Sequence, residues 1–459
     1  MAKCVIVTPY VGPRNLSAAC GLRLSSLARH TCTHLERLKG TGPMTSQQPV
    51  RCGRRKRKQP AVSGHGAHAS FDGKGLTMTN IHANPIYTGE PEDLKFAYWV
   101  PNVSGGLVVS NIEQRTDWGY DYNVKLAQTA EAVGYEYALS QVRYLSSYGA
   151  AQQHESTATS LALALATEKL KVIAAIHPGI WEPAVLAKFI LTADQFTKGR
   201  TAINVVSGWF KDEYTRLGLP WLEHGERYRR SAEFMDVVRK LFTEENVEYP
   251  GNFYTVDDFT LRPGPYPVEG RPHPEIFQGG NSSAARINGG KHADWYFSNG
   301  KDFDGFREQY DDVTEVARAH NRKVRFGLNG FAIVRDTEAE AREQLREIIA
   351  KADEGAVEGF RKSVQQAGAS THDKKGMWAD SSFEDLVQYN DGFRTQLIGT
   401  PEQVADRIIE YKKIGVDHIL TGFLHFQEEL EAFGKTVIPI VPEKEAELVN
   451  RGLLTPAGV

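Results

Sequence analysis

The feature that most constrains this chain is an alternation between short apolar runs and longer amphipathic stretches, which begins near residue 95. Eight runs predict strands, at residues 95–101, 135–141, 171–176, 200–206, 275–278, 294–298, 324–334 and 418–421. Between them, apolar residues recur at three- and four-residue spacing, which predicts helices over 184–196, 228–242 and 402–414 among others. Eight successive βα units predict the α/β class and a (β/α)8 TIM barrel.

Two insertions interrupt this alternation. Residues 247–261 place Tyr-Pro-Gly-Asn-Phe-Tyr between two strand-like runs, which predicts a β-hairpin. Residues 351–395 form a long polar segment that contains several glycines. A segment of this length in a compact barrel is usually an active-site lid or a disordered segment.

Residues 1–77 differ in composition from the rest of the chain. They contain all four cysteines and 13 of the 54 Lys and Arg residues, but only 2 of the 57 Asp and Glu residues. The basic cluster at 51–58 is compatible with three interpretations: nucleic-acid binding, a transit peptide, or a disordered leader. A start codon assigned too far upstream would produce such a leader. We expect the leader, because no convincing amphipathic helix precedes residue 78. The folded domain is then predicted at 78–459, with no nucleic-acid partner.

Composition also narrows the class of protein. The cysteine spacings fit no compact zinc motif, so we expect no metal site. The absence of cysteine after residue 77 excludes a disulfide framework and a thiol nucleophile in the folded domain. No apolar stretch approaches the roughly 20 residues that cross a bilayer. We expect a cytoplasmic protein without membrane contact.

Two motifs follow the fourth and fifth predicted strands. Asn204-Val-Val-Ser-Gly-Trp209 comes first, and Gln278-Gly-Gly-Asn-Ser-Ser283 follows about seventy residues later. In the second motif, glycines allow the backbone to approach an anion, and serine hydroxyls with free N–H groups at a helix start suit a phosphate. An ordinary glycine-rich turn capped by Asn or Ser would have the same composition. Asn204, a polar amide that ends a barrel strand, needs a partner.

The two motifs occur in this order with His-Gly-Glu-Arg-Tyr-Arg-Arg at 224–230 between them. In this combination the chain resembles the bacterial luciferase-like flavin monooxygenases. The branch includes pyrimidine and alkanesulfonate monooxygenases. The runs at 96–106 and 326–334 are similar to members that oxidise dimethyl sulfone, and the likeness extends from about residue 78 to about residue 450. The resemblance implies a two-component enzyme that uses FMN, as FMNH2, and O2 to convert dimethyl sulfone to methanesulfinate and formaldehyde. It also implies an NAD(P)H:FMN reductase as partner, a dimeric or tetrameric homo-oligomer, and a mobile lid at 351–395.

The same resemblance implies which residues bind the flavin. They are Val142 and Arg143 beside the flavin, Asn204 and Glu213 at the polar edge of the ring or the ribityl chain, and Arg227, Tyr228, Ser282 and Ser283 at the phosphate. Structural alternatives stay open for several of them. Glu213 could charge the first turn of a helix, Tyr228 could be core, and Arg227 could pair with a nearby glutamate.

Aromatic residues near strand ends are candidates for the substrate pocket, although plain packing is the commoner use of such residues. The candidates are Tyr98, Trp99 and Phe331, with Asn329, and we predict His177 and Trp209 as catalytic residues. A structural role is the alternative for His177. Alkanesulfonate monooxygenases carry Arg-x-His on the seventh strand, where this chain has Asn329-Gly-Phe331. A sulfonate favours a paired arginine and a neutral sulfone only accepts hydrogen bonds, so the substrate is predicted to be small and neutral.

Two alternative functions stay open. One is a monooxygenase of another small organosulfur or nitrogen compound, such as an alkanesulfonate. The other is a barrel that binds flavin without turnover. A nucleic-acid binder rests on the basic leader alone, and the excess of acidic residues after residue 77 opposes phosphate affinity.

Overall fold

A closed barrel of eight parallel strands forms the centre of the fold in the computed structural model, which describes residues 94–146, 148–368, 378 and 380–452. The strands are β1 (Lys95–Val100), β2 (Tyr137–Ser140), β3 (Lys171–Ile176), β4 (Thr201–Val205), β5 (Val247–Pro250), β6 (Thr255–Phe259), β7 (Glu275–Gly279), β8 (Trp295–Ser298), β9 (Arg325–Phe331), β10 (Ile333–Val334), β11 (Ile398–Gly399) and β12 (His418–Gly422). The barrel order is β1-β12-β9-β8-β7-β4-β3-β2, so all eight predicted strands and the TIM barrel are confirmed. The predicted extension at 1–77 lies outside the described residues.

Helices connect the strands and cover the outside of the barrel. They are α1 (Tyr120–Ala132), α2 (Ser156–Leu165), α3 (Pro183–Phe196), α4 (Lys211–Arg216), α5 (His224–Thr243), α6 (Ser283–His292), α7 (Phe303–Ala319), α8 (Glu338–Ala350), α9 (Glu354–Gly368), α10 (Phe383–Leu386), α11 (Pro401–Lys413), α12 (Phe426–Thr436) and α13 (Ile440–Asn450). The periodic stretches coincide with α3, α5 and α11. The periodicity places the start of α5 too late because its first turn, His-Gly-Glu-Arg, contains no apolar residue to carry the period.

Local sequence explains where the helices begin. Glu182 accepts hydrogen bonds from the first backbone N–H groups of α3, and Pro183 occupies the first helical position. At α11, the side chains of Thr400 and Gln403 form a reciprocal capping box ahead of the helix. Both helices therefore begin at the residue that follows their capping side chain.

The barrel interior contains side chains from alternate positions of its strands. Trp99 packs against this inner cluster, whose buried members are Ala97, Tyr137, Leu139, Ile173, Ala202, Phe277, Trp295, Phe297 and Leu420. Successive residues of a strand point to opposite faces, so Tyr98 lies on the outside of β1. There it packs edge-to-face on Tyr135, with ring centroids 6.0 Å apart. Outer positions of this kind join the sheet to the surrounding helices.

The two insertions have distinct structures. β5 and β6 pair antiparallel, which confirms the predicted hairpin. The predicted insertion at 351–395 contains α9, α10 and a 3-10 helix at Gly392–Thr395. Residues 369–377 and 379 of this insertion lie outside the described residues, and its mobility stays a prediction. An additional parallel pair, β10 with β11, joins the segment directly after the seventh barrel strand, β9, to the segment before α11.

Across the described ranges, no helix combines the length and the apolar character that a membrane span requires. The same residues contain no group of three or more His, Cys, Asp or Glu side chains arranged to hold a metal ion.

Candidate active site

A cavity lies at the carboxyl ends of the barrel strands, where TIM-barrel enzymes place their active sites. Its lining includes the apolar side chains of Leu139, Ala175, Phe297 and Leu420, which come from four different strands. The structure brings together in its walls these predicted site residues: Trp99, Val142, Arg143, His177, Asn204, Trp209, Arg227, Tyr228, Ser282 and Asn329. The roles assigned to them stay predictions.

Four predicted residues do not line the cavity. Tyr98 points away from the barrel interior, because only its neighbour Trp99 can face inward. Phe331 is fully buried against Phe393, with ring centroids 5.1 Å apart. Ser283 is the exposed first residue of α6 and lies outside the wall that Ser282 forms. The fourth is Glu213, whose contacts are described below.

The turn between β7 and α6 forms one end of the cavity. Gly280 has a φ of +146°, and Ser282 caps α6 by accepting a hydrogen bond from the backbone N–H of Ala285 at 3.3 Å. Tyr228 and Arg227 reach the same end from α5. Burial raises the pKa of Tyr228, so its phenol stays a proton donor at neutral pH. Hydroxyl donors, a guanidinium and a helix start together suit a phosphate.

The middle of the cavity offers a hydrogen-bond acceptor. Within the described part of the chain, no donor reaches the buried Oδ1 of Asn204 or the buried Oε1 of Gln278. Asn204 lines the cavity, whereas Gln278 points out of the barrel, where its amide N–H donates to the carbonyls of Gly279 and Ala285. Orphaned buried acceptors call for a ligand donor or water. An apolar floor, an acceptor for a ring N–H group and a phosphate end fit FMN, which Asn204, Arg227, Tyr228 and Ser282 would hold.

Glu213 lies behind the cavity wall. Its Oε1 accepts hydrogen bonds from the backbone N–H groups of Tyr144 at 2.6 Å and of the next residue at 3.3 Å. Its Oε2 lies 3.4 Å from Nε2 of His177, whose Nδ1 donates to the carbonyl of Val206 at 2.9 Å. Burial acts to raise the pKa of Glu213, but His177, Arg143 and the N–H of Tyr144 together lower it. Glu213 therefore holds the loop after β2 as a carboxylate, and nothing in this geometry places it against a flavin.

Asn329 connects the barrel to the insertion. Its Oδ1 accepts from the indole N–H of Trp99 at 2.6 Å, and its Nδ2 donates to the carbonyl of Asn390 at 2.8 Å. Both ends of the amide are thus satisfied by the protein. Asn329 therefore presents an uncharged side chain to the cavity.

Sequence reasoning missed an aromatic group that the insertion contributes. Trp209 packs edge-to-face on Phe360 of α9 and on Trp378, with centroids 5.4 and 5.5 Å apart, and Phe360 packs on Tyr389 at 5.4 Å. All four rings line the cavity. The sequence indicates this group only through the presence of aromatic residues in an otherwise polar insertion. That they contact Trp209, more than a hundred residues earlier, cannot be deduced from the sequence.

Asp391 next to this wall gives the protein a predicted pH dependence. Its Oδ1 accepts from Oγ of Ser381 at 2.8 Å, and burial raises its pKa from 3.8 to about 7. The folded state therefore binds this proton more tightly than the unfolded state, so its contribution to stability is present below about pH 4 and is lost as the pH rises to 7.

We expect Asp391→Asn to mimic the protonated form. The gain in unfolding free energy over the parent protein should be near zero at pH 4 and about 2–4 kcal/mol at pH 8, because each pKa unit corresponds to about 1.4 kcal/mol. Urea unfolding at pH 4, 6 and 8 measures this. A difference that does not change with pH would contradict the assignment.

Comparison with known proteins adds independent information. The family model described as luciferase-like monooxygenase matches residues 94–418. An FMNH2-dependent dimethylsulfone monooxygenase of Pseudomonas putida is 59% identical over 356 residues, which cover 78% of this chain and 97% of the relative. A protein of the same name from Pseudomonas fluorescens (strain Pf0-1) is 56% identical over 354 residues, which cover 77% and 96%.

Among solved structures, riboflavin lyase (RcaE) with modified FMN and riboflavin superposes with a TM-score of 0.66. Its sequence is 18% identical, and the match covers 80% of this chain and 94% of that chain. At this identity the likeness concerns the fold alone.

Proposed function

The chain belongs to the luciferase-like monooxygenase family, and on that premise we propose that it is a two-component flavin monooxygenase that oxidises dimethyl sulfone. FMNH2, O2 and dimethyl sulfone give FMN, water, methanesulfinic acid and formaldehyde. One methyl carbon is oxidised and its bond to sulfur breaks. Two of the four electrons that O2 accepts come from the flavin and two from the substrate carbon.

One observation carries the proposal. The identity of 59% to a dimethylsulfone monooxygenase extends over 97% of that relative. The geometry of the cavity is consistent with it, because the chain presents a phosphate end, the unsatisfied acceptor of Asn204 and an uncharged Asn329. Bound FMNH2 supplies the reducing electrons for the activation of O2, and the surrounding residues hold the cofactor, exclude water and position the substrate.

The supply of FMNH2 and the assembly of the protein belong to the same proposal. Reduced flavin reacts with O2 in solution, so a separate NAD(P)H:FMN reductase is the proposed source. A homo-oligomer, as dimer or tetramer, and a cytoplasmic location stay predictions from the family. Sedimentation equilibrium of the full chain measures the number of subunits and so tests the predicted homo-oligomer.

The test compares two substrates in one assay. The full chain is mixed anaerobically with FMNH2, and formaldehyde is then measured after aeration with dimethyl sulfone or with methanesulfonate. We expect formaldehyde from dimethyl sulfone only. Formaldehyde from methanesulfonate would favour the alkanesulfonate alternative, and flavin binding without formaldehyde from either would favour another substrate or a barrel without turnover.

A further inference from the structure

Arg143 is a cation in the cavity wall, on the loop that follows β2. Its guanidinium carbon lies 4.1 Å from the ring centroid of Trp209 and 5.6 Å from that of Phe210. Stacking of this kind holds the guanidinium plane and leaves its N–H edge available for a ligand. Because Arg143 lines the cavity, the wall at this point carries a fixed positive charge.

Within the described ranges, no carboxylate lies within 4.0 Å of the guanidinium of Arg143. Arg286 is more deeply buried than the half-buried Arg143 and shows the usual arrangement of a buried arginine. Arg286 reaches Glu308 at 3.0 Å and Asp312 at 2.5 Å. Glu213 acts on Arg143 only from beyond contact distance. A charge that is partly removed from water without a counter-charge in contact is unfavourable, and a ligand oxygen can offset that cost. Burial lowers the pKa of Arg143, because removal from water disfavours the charged form.

The backbone around Arg143 is held by a buried pair. The carboxylate of Glu213 accepts from the N–H groups of the two residues that follow Arg143, and His177 lies against its other oxygen. The side chains of Glu213 and His177 are 0% and 1% exposed. A buried carboxylate in this position constrains the loop and does not neutralise the guanidinium by direct contact. Glu213 and His177 therefore hold the loop that carries Arg143.

The family resemblance places Arg143 beside the flavin. We propose that its guanidinium binds not the flavin but the oxygens of the substrate's SO2 group, and that it binds the sulfinate product more tightly than the sulfone. This inference rests on the proposed function, in which a neutral SO2 group becomes an anion. The rings of Trp209 and Phe360 supply apolar walls for the methyl groups beside it.

The change in charge during the reaction sets the order of affinities. Dimethyl sulfone offers two neutral acceptor oxygens, whereas methanesulfinate offers two oxygens that share a negative charge. The guanidinium donates charge-assisted hydrogen bonds to both compounds, but only the sulfinate adds the attraction between opposite charges, which is stronger in a cavity wall than in bulk water. We expect methanesulfinate to bind at least 10-fold more tightly than dimethyl sulfone and to act as a product inhibitor.

Isothermal titration of the FMN-loaded full chain with methanesulfinate and with dimethyl sulfone tests this without turnover. Arg143→Gln is expected to weaken methanesulfinate binding about 30-fold and dimethyl sulfone binding less than 5-fold, with FMN affinity unchanged. Arg143→Lys keeps the charge without the planar fork and should give an intermediate loss. Arg346→Gln, which removes an exposed arginine of α8 that pairs with Glu343, should change none of these affinities.

Several results would overturn the proposal. A loss of FMN affinity in Arg143→Gln would make Arg143 a flavin ligand, and equal losses for sulfinate and sulfone would exclude charge recognition. Unchanged binding of both would place the SO2 group elsewhere. Because the titration needs no oxidation, a chain that fails to oxidise dimethyl sulfone but binds methanesulfinate through Arg143 would contradict only the proposed reaction.

Discussion

Replacement of Gly280 by alanine is expected to weaken FMN binding about 100-fold, which corresponds to about 2.8 kcal/mol. A Cβ atom at this position would lie 2.6 Å from Cβ of Ala285 and 3.0 Å from the hydroxyl of Tyr228. Neither contact is possible without a shift of α6 or of the phenol that faces the cavity. The φ of +146° adds backbone strain for any residue with a side chain. Both effects act on the end of the cavity that suits the phosphate.

Gly218→Ala is the matched control. Gly218 also has a positive φ, +74°, but nothing lies within 4 Å of the position its Cβ would take. Both variants should lose about 1 kcal/mol or more of stability through backbone strain, and only Gly280→Ala should lose FMN affinity. Quenching of FMN fluorescence under titration with each variant measures the affinity. Equal flavin affinity in the two variants would show that the turn after β7 does not hold the cofactor.

Replacement of Asp194 by alanine is expected to lower the free energy of unfolding by about 3–5 kcal/mol. Asp194 of α3 is fully buried and accepts hydrogen bonds from Oγ1 of Thr201, the backbone N–H of Tyr266 and Arg271, each at 2.8 Å. Its removal leaves the side chain of Arg271, which is 10% exposed, without this carboxylate. The same carboxylate ties α3 to β4 and to the segment before β7.

Glu244→Ala provides the comparison for an exposed pair. Glu244 lies 3.0 Å from Lys240 one helical turn away, and both side chains are at least 40% exposed. Such pairs contribute about 0.3–0.5 kcal/mol, because water and ions screen them. Urea unfolding of both variants at pH 7 gives the two values. A loss below about 1 kcal/mol for Asp194→Ala would mean that the three donors find other acceptors.

The amino-acid pattern alone identifies the barrel and one side of its site. The alternation of short apolar runs with longer amphipathic stretches predicts all eight strands. Parallel strands are buried on both faces, so each of them appears in the sequence as a continuous apolar run. The carboxyl ends of parallel strands converge in a barrel, so the positions of Asn204 and Ser282 at strand ends are enough to predict that they share one cavity. The family resemblance adds Arg227 and Tyr228, which line the same cavity.

Tertiary structure decided the orientation and the pairing of individual side chains. Tyr98 and Trp99 are adjacent aromatic residues of similar chemical character. Only the tilt and register of β1 determine which of them faces the barrel interior. Glu213 follows a cofactor motif, yet its carboxylate binds the loop after β2 and His177. The sequence shows that successive side chains of a strand point to opposite faces. It does not show which of the two sets of side chains faces the barrel interior.

The aromatic wall and the charge of Arg143 depended on the tertiary structure completely. Phe360 and Tyr389 come from an insertion whose place over the barrel is fixed by long-range contacts, such as the bond from Asn329 to Asn390 at 2.8 Å. Local periodicity reports which face of an element is buried and carries no information about a partner more than a hundred residues away. Sequence therefore determined the elements and the end of the barrel that carries the site, and packing across distant segments determined which groups meet there.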